Sequence, residues 1–158
     1  MTDLCAEDLA TIYAKPSPRV IAKARPAIDA HAKKFIEMSP FCVLATSGAD
    51  GSVDASPRGG GIGFVHVAGP SQLLMPDRSG NNRIDSFRNV VEGSGFVHLL
   101  FFVPGIDETL RVGGRGVTLP VIPGRCAASN PESRGSGSGP TDHPGTTEFA
   151  LWRRATRC

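Results

Sequence analysis

The sequence has no metal-ligand spacing, no membrane-spanning run and no basic body. Its four cysteines, Cys5, Cys42, Cys126 and Cys158, are scattered through 158 residues. Neither a CxxC pair nor an HExxH motif occurs, so no metal site is expected. The N-terminus lacks a signal-peptide apolar core. The longest apolar stretch, residues 96–103, is interrupted by His98 and is far shorter than the roughly 20 residues that cross a bilayer. These absences point away from a membrane and towards a cytoplasmic protein with reduced thiols. Residues 1–119 hold 12 Lys or Arg and 12 Asp or Glu, so the net charge of +2 arises in residues 120–158, where five Arg face three acids. A body with no basic excess cannot neutralise a polyphosphate, which argues against a nucleic-acid partner. A single phosphate site stays open.

What is present is the composition of one soluble globular domain, 40% hydrophobic and 20% charged, with enough Gly (19) and Pro (13) to make part of it rich in loops. Residues 1–38 read as a helical lead-in. A short helix over 6–14 is closed by Lys15-Pro-Ser-Pro18, and a second pattern is broken by Pro26. From Ala27 to Met38, Ile28, Ala32, Phe35 and Ile36 form one stripe while Lys33, Lys34 and Glu37 face outward. His31 there, and His66 and His98 later, read as structural residues.

Residues 39–118 form the body. Phe41–Thr46 is a buried strand, Gly48-Ala-Asp-Gly51 a turn and Ser52–Ser56 the second strand of a hairpin. Phe64–Val67, Gln72–Met75, Phe96–Val103 and Glu108–Thr118 supply further strands. Between them, residues 81–92 carry Ile84, Phe87, Val90 and Val91 at helical spacing. Short strands around one crossover helix predict a small antiparallel barrel. Residues 119–158 differ: from Pro120 onward 14 of 39 residues are Pro, Gly or Ser, and the segment reads as a disordered or weakly ordered tail.

Two stretches carry candidate chemistry. In Gln72–Glu92 a strand runs through Pro76 and Asp77 into a turn and then a helix, so Asn81, Asn82 and Arg83 gather where free N–H groups and the helix dipole favour an anion. The same residues serve equally as a helix cap, and Arg83 and Arg88 as solvated charges; this stretch alone favours the cap. In Pro57-Arg58-Gly59-Gly60-Gly61, glycines beside an arginine allow close approach to a flat or phosphorylated ligand. A flexible loop with a surface arginine explains that motif as well.

Taken in order, FCVLATSGADGSVDASPRGG, LLMPDRSGNNRIDSFRNVVE and ETLRVGGRG resemble the pyridoxamine 5′-phosphate oxidase-like family of FMN-binding split barrels, and within it a bacterial subgroup with SPRG and PDRxGNNRxDSxRN motifs. The likeness covers about residues 16–118. It implies a mainly β, α+β split barrel with N-terminal helices and one crossover helix, a homodimer, and FMN held at the subunit interface. It implies that Ser56, Pro57, Arg58 and Gly59 run along the flavin and ribityl chain, that Pro76 and Asp77 offer backbone contacts, that Asn81, Asn82 and Arg83 hold the phosphate, and that Thr109 touches the flavin. It designates no catalytic residue. The further Arg, Tyr and Ser residues that hold a vitamin B6 phosphate are not found, and Trp152-Arg153 is not the family's C-terminal signature, so vitamin B6 oxidation is not expected. The implied activity is an FMN-dependent oxidoreductase; the alternatives are a non-enzymatic flavin or haem binder and a truncated, inactive paralogue. The family pattern ends near Thr118, and residues 121–140 look like a translated intergenic repeat, so the expected barrel lacks its closing strand.

Overall fold

The computed structural model describes residues 5–77 and 83–119, and the backbone of residues 147–153. Helix formation at the N-terminal side follows its caps. In α1 (Ala6–Ile12) the Cys5 amide donates to Asp8, 2.8 Å away. The four-residue α2 (Pro18–Ile21) starts on a proline at N1, where a missing N–H costs nothing. In α3 (Ala30–Met38) the Asp29 carboxylate accepts from the Ala32 amide at 2.8 Å. The predicted stripe of α3 is the observed one: Ile36 is fully buried, Phe35 and Ile28 pack against the core, and Lys33 and Glu37 pair on the outside. Ser39 ends this helix as a buried pin. Its hydroxyl lies 2.7 Å from the Phe41 carbonyl and 2.6 Å from that of Phe102, sharing one proton between two strands.

Seven strands form one sheet: β1 (Phe41–Ser47), β2 (Val53–Gly59), β3 (His66–Gly69), β4 (Gln72–Asp77), β5 (Phe96–Phe102), β6 (Thr109–Leu119) and β7 (Thr147–Arg153), in the order β2-β1-β5-β6-β7-β4-β3. Between β4 and β5 the chain crosses over in α4 (Asp85–Glu92). Alternation in β1, β5 and β6 turns Leu44, Leu99, Phe101 and Val112 into one core with Ile36, Leu73, Met75 and Val90. The fold class is thus mainly β with few helices, in agreement with the predicted split-barrel type. The sheet does not close: β2 and β3 are its edges.

Three expectations need correction. The segment expected to be a disordered or weakly ordered tail contains β7, which pairs along 148–153 with β4 and along 147–152 with the C-terminal half of β6. The edge expected to lie bare on β6 is therefore covered from Gly114 to Leu119. Both pairings of β7 are parallel, whereas an all-antiparallel barrel was expected. Finally, α4 begins at Asp85 with Ile84 as its N-cap, and its face is rotated from the predicted stripe. Ser86 and Val90 are buried, while Ile84 and Val91 are 52% and 67% exposed. Hydrogen bonding explains the rotation, because Asn89 donates to the Thr46 hydroxyl at 3.0 Å and so draws the Ser86–Asn89–Val90 side onto β1.

The end of α4 lies so close to β1 that a Cβ on Gly93 would meet the carbonyl oxygens of Asn89 and Ser47 at 2.4 Å. Gly93→Ala should therefore destabilise the protein by about 1–3 kcal/mol, as overpacking does. Gly61→Ala, where a Cβ meets nothing within 4 Å, should be neutral in the same urea titration; equal midpoints for the two variants would refute the contact. Ala150 stands mid-way along β7 and is paired with Leu74 on one side and Val117 on the other. Ala150→Pro, which removes a donor from a strand flanked on both sides, should cost about 1–3 kcal/mol. An unchanged melting temperature would show that β7 adds nothing to the sheet.

Candidate functional site

The two candidate stretches meet in space. β2 lies at one edge of the sheet and β4 next to the other, with four strands between them in the ladder, yet the Arg58 guanidinium on β2 reaches Asp77 at the end of β4 (Nη1 to Oδ1, 3.7 Å). The other terminal nitrogen of Arg58 donates to Ser86 Oγ at 3.1 Å, and Ser86 Oγ donates in turn to Asp54 Oδ2 at 3.0 Å. Ser86 is 2% exposed. The sheet has rolled far enough for one side chain to join both flanks and α4.

Strand alternation explains which β2 residues take part. Asp54, Ser56 and Arg58 face inward and are half-buried, opposite Thr46, Leu44 and Cys42 on β1. Pro57 and Gly59 face outward and are exposed. The four neighbouring residues proposed to follow a flavin are thus divided between two faces. On the inward side Arg58 lines a small, tightly packed cleft with Leu44, Met75, Pro76, Asp77 and Phe87. Its Nε is buried and makes no hydrogen bond. On the outward side Gly59, Phe41, Phe102 and Thr109 form one cross-strand row. Thr109 opens β6, exposed, three strand spacings or about 14 Å from Gly59.

The remaining predicted residues fall into two groups. Pro76 is half-buried in the cleft wall, and the Asp77 carboxylate is engaged by Arg58. Arg83 lies just ahead of α4, 76% exposed, with its Nε 2.9 Å from Asp85. Asn81 and Asn82 lie outside the described residues. Sequence reasoning missed Ser86 and Asp54, which complete the Arg58 network. The available signal was a small polar residue, Ser86, four positions before the core residue Val90, a place where a serine must find partners indoors.

Cys42 backs this network. It is fully buried and its thiol is pushed up to about 12 by desolvation, with Arg58 pulling the other way. Among the described residues no group of His, Cys, Asp or Glu is arranged to hold a metal ion, and no helix is long and apolar enough to cross a membrane.

A mainly β sheet rolled over one crossover helix, with an Arg58–Asp77–Ser86–Asp54 network at the meeting of β2, β4 and α4, is a fold of the split-barrel type. The family model described as pyridoxamine 5′-phosphate oxidase matches residues 28–121, more than half of the chain. The chain belongs to that family, and membership places it among flavin-binding proteins of oxidoreductase type. No curated protein and no solved structure gives a significant match.

The burial of Cys42 is directly measurable. It should resist alkylation in the native protein while exposed Cys5 reacts, and should label only on unfolding. Because its folded value is raised from 9.0 to about 12, the native state keeps a proton that the unfolded chain releases. Its contribution is complete below pH 9 and is lost as pH rises towards 12. Cys42→Ala should flatten the fall in stability over that window; an identical pH slope in the variant would refute the assignment.

Proposed function

We propose that the protein is a cytoplasmic flavoprotein that binds FMN between two copies of the chain and uses it as an oxidoreductase. The carrying observation is the meeting of the two motifs: Arg58 from SPRG contacts Asp77 and Ser86, which flank the RSGNNR sequence, all within the matched span. FMN, when bound, supplies the electron transfer, and the protein binds and orients it.

The residues present fit such a group. The start of α4 offers Arg83 and a helix dipole directed at an anion, and Arg58 holds the ends of β4 and α4 together beside it. Arg83, with Asn81 and Asn82, is the phosphate-binding group in this reading. Pro57, Gly59 and Thr109 supply the outward surface that lies beside the flavin, and Ser56 and Pro76 border it from the inward side. The cleft of one chain is too tightly packed to admit even a water-sized group, far short of the roughly 300 Å³ or more of a small-molecule pocket. A second wall is needed.

A second copy would provide it. The outward face of β2, β1, β5 and β6 exposes Val53, Phe41 and Phe96, and Phe41 and Phe102 lie side by side, tilted at 41°, with ring centroids 5.9 Å apart. An apolar face of this kind supports an interface between copies.

The purified protein should show the absorption of oxidised flavin and elute as a dimer; a colourless protein that takes up no added FMN would remove the proposal. Arg83→Ala should weaken FMN about 10-fold to 100-fold, the worth of a charge-assisted hydrogen bond, and leave riboflavin binding nearly unchanged. Equal losses for both ligands would mean that Arg83 supports the fold instead.

A further inference from the structure

Arg58 touches the chain on both sides of residues 78–82. Asp77 is the last residue of β4 and Ser86 lies in the first turn of α4, nine positions apart, and a single planar guanidinium spans them with Nη1 on the first and Nη2 on the second. Ser86 is in turn fixed by Asp54, two residues before Ser56 on the same β2 strand. The Arg58 and Asp77 side chains are 22% and 15% exposed, so this pairing is shielded from water and salt much more than a surface ion pair. A lysine has one charged nitrogen and cannot reach both partners from fixed directions; the fork of arginine can.

We propose that Arg58 is a positioning residue: it clasps the end of β4 to the start of α4 and so sets the place at which the anion of the ligand is bound, without itself contacting that anion. The proposal rests on the reading that the FMN phosphate is held at the start of α4. It differs from the family-derived expectation that Arg58 runs along the flavin. Its two terminal nitrogens are already committed to protein acceptors, and the side chain faces inward, away from the Pro57 and Gly59 surface.

The two roles give opposite results for one substitution. If Arg58 contacts the phosphate, Asp77→Asn releases it from a competing carboxylate and tightens FMN. If Arg58 is a clasp, Asp77→Asn opens it and weakens FMN, by about 5-fold to 30-fold, with a smaller effect on riboflavin. Arg58→Met should do the same, and the double variant should be no worse than the poorer single one, because both remove one contact. Amide exchange of Arg88–Val91, the first hydrogen-bonded amides of α4, in the ligand-free protein supplies the readout that does not depend on flavin: it should rise in both variants while exchange in β1 and β5 stays as in the parent. Tighter FMN binding by Asp77→Asn, additive losses in the double variant, or unchanged exchange at the start of α4 would each overturn the clasp. Should Arg58→Met fail to fold, Asp77→Asn, which keeps the size of the side chain, decides the matter by the same two measurements. A parent protein that binds no FMN would defeat the flavin reading alone, since the exchange measurement still tests the clasp.

Discussion

One guanidinium holds the roll of this sheet. Arg58 projects from an edge strand, and its acceptors belong to β4 and α4, elements that the hydrogen-bond ladder reaches only through four other strands. Ladder hydrogen bonds set the spacing of neighbouring strands but leave the overall curvature loose; a contact between the flanks determines it. Burying such a group has a cost, and the unpaired Nε adds to it. Offsetting it are two carboxylates, Asp77 directly and Asp54 through Ser86, which leave the network without an isolated charge. Charge balance of this kind lets an arginine stay indoors beside Leu44, Met75 and Phe87.

The same network relates the core to the ligand-facing surface. In β2 the inward residues, Asp54, Ser56 and Arg58, are polar, and the outward ones, Val53, Ala55, Pro57 and Gly59, have no polar side chain. Any ligand lying along Pro57 and Gly59 meets a flat surface whose backbone is held from behind by Asp54 and Arg58. Cys42, behind Arg58, adds a neutral thiol that contributes packing and no charge. Rigid support and smooth surface thus come from alternate residues of a single strand.

Much of this was legible in the sequence. The hairpin β1–β2, the buried β5 and the capped α3 follow from alternation, turn residues and an Asp N-cap, which are local effects read within about ten residues. The family was legible because its motifs are long and ordered. The orientation of α4 was not, because periodicity counts Ile84 and Val91 as apolar but cannot see that Asn89 and Ser86 have partners waiting on Thr46, Arg58 and Asp54. The division of Ser56, Pro57, Arg58 and Gly59 between two faces was available from strand period alone once β2 is extended to Gly59, but the glycines read as loop. β7 was legible only as the alternation of Phe149 and Leu151, which a Gly-, Pro- and Ser-rich context made too weak to predict a paired strand; its placement depends on two strands more than 25 residues away in sequence.

The parallel strand also has a consequence for the order in which the chain acquires its structure. β1 with β2, and β5 with β6, are joined by local antiparallel pairings, whereas β1 and β5 meet across more than 50 residues of sequence. β3 and β4 enter the ladder only by way of β7, more than 70 residues beyond β4. Until β7 docks, one flank of β4 has no backbone partners. Contacts of such long sequence separation form slowly, and a waiting strand edge is open to other chains. The edge at greatest risk during folding is therefore one that the finished sheet covers, a liability that a sheet closed by local hairpins would not have.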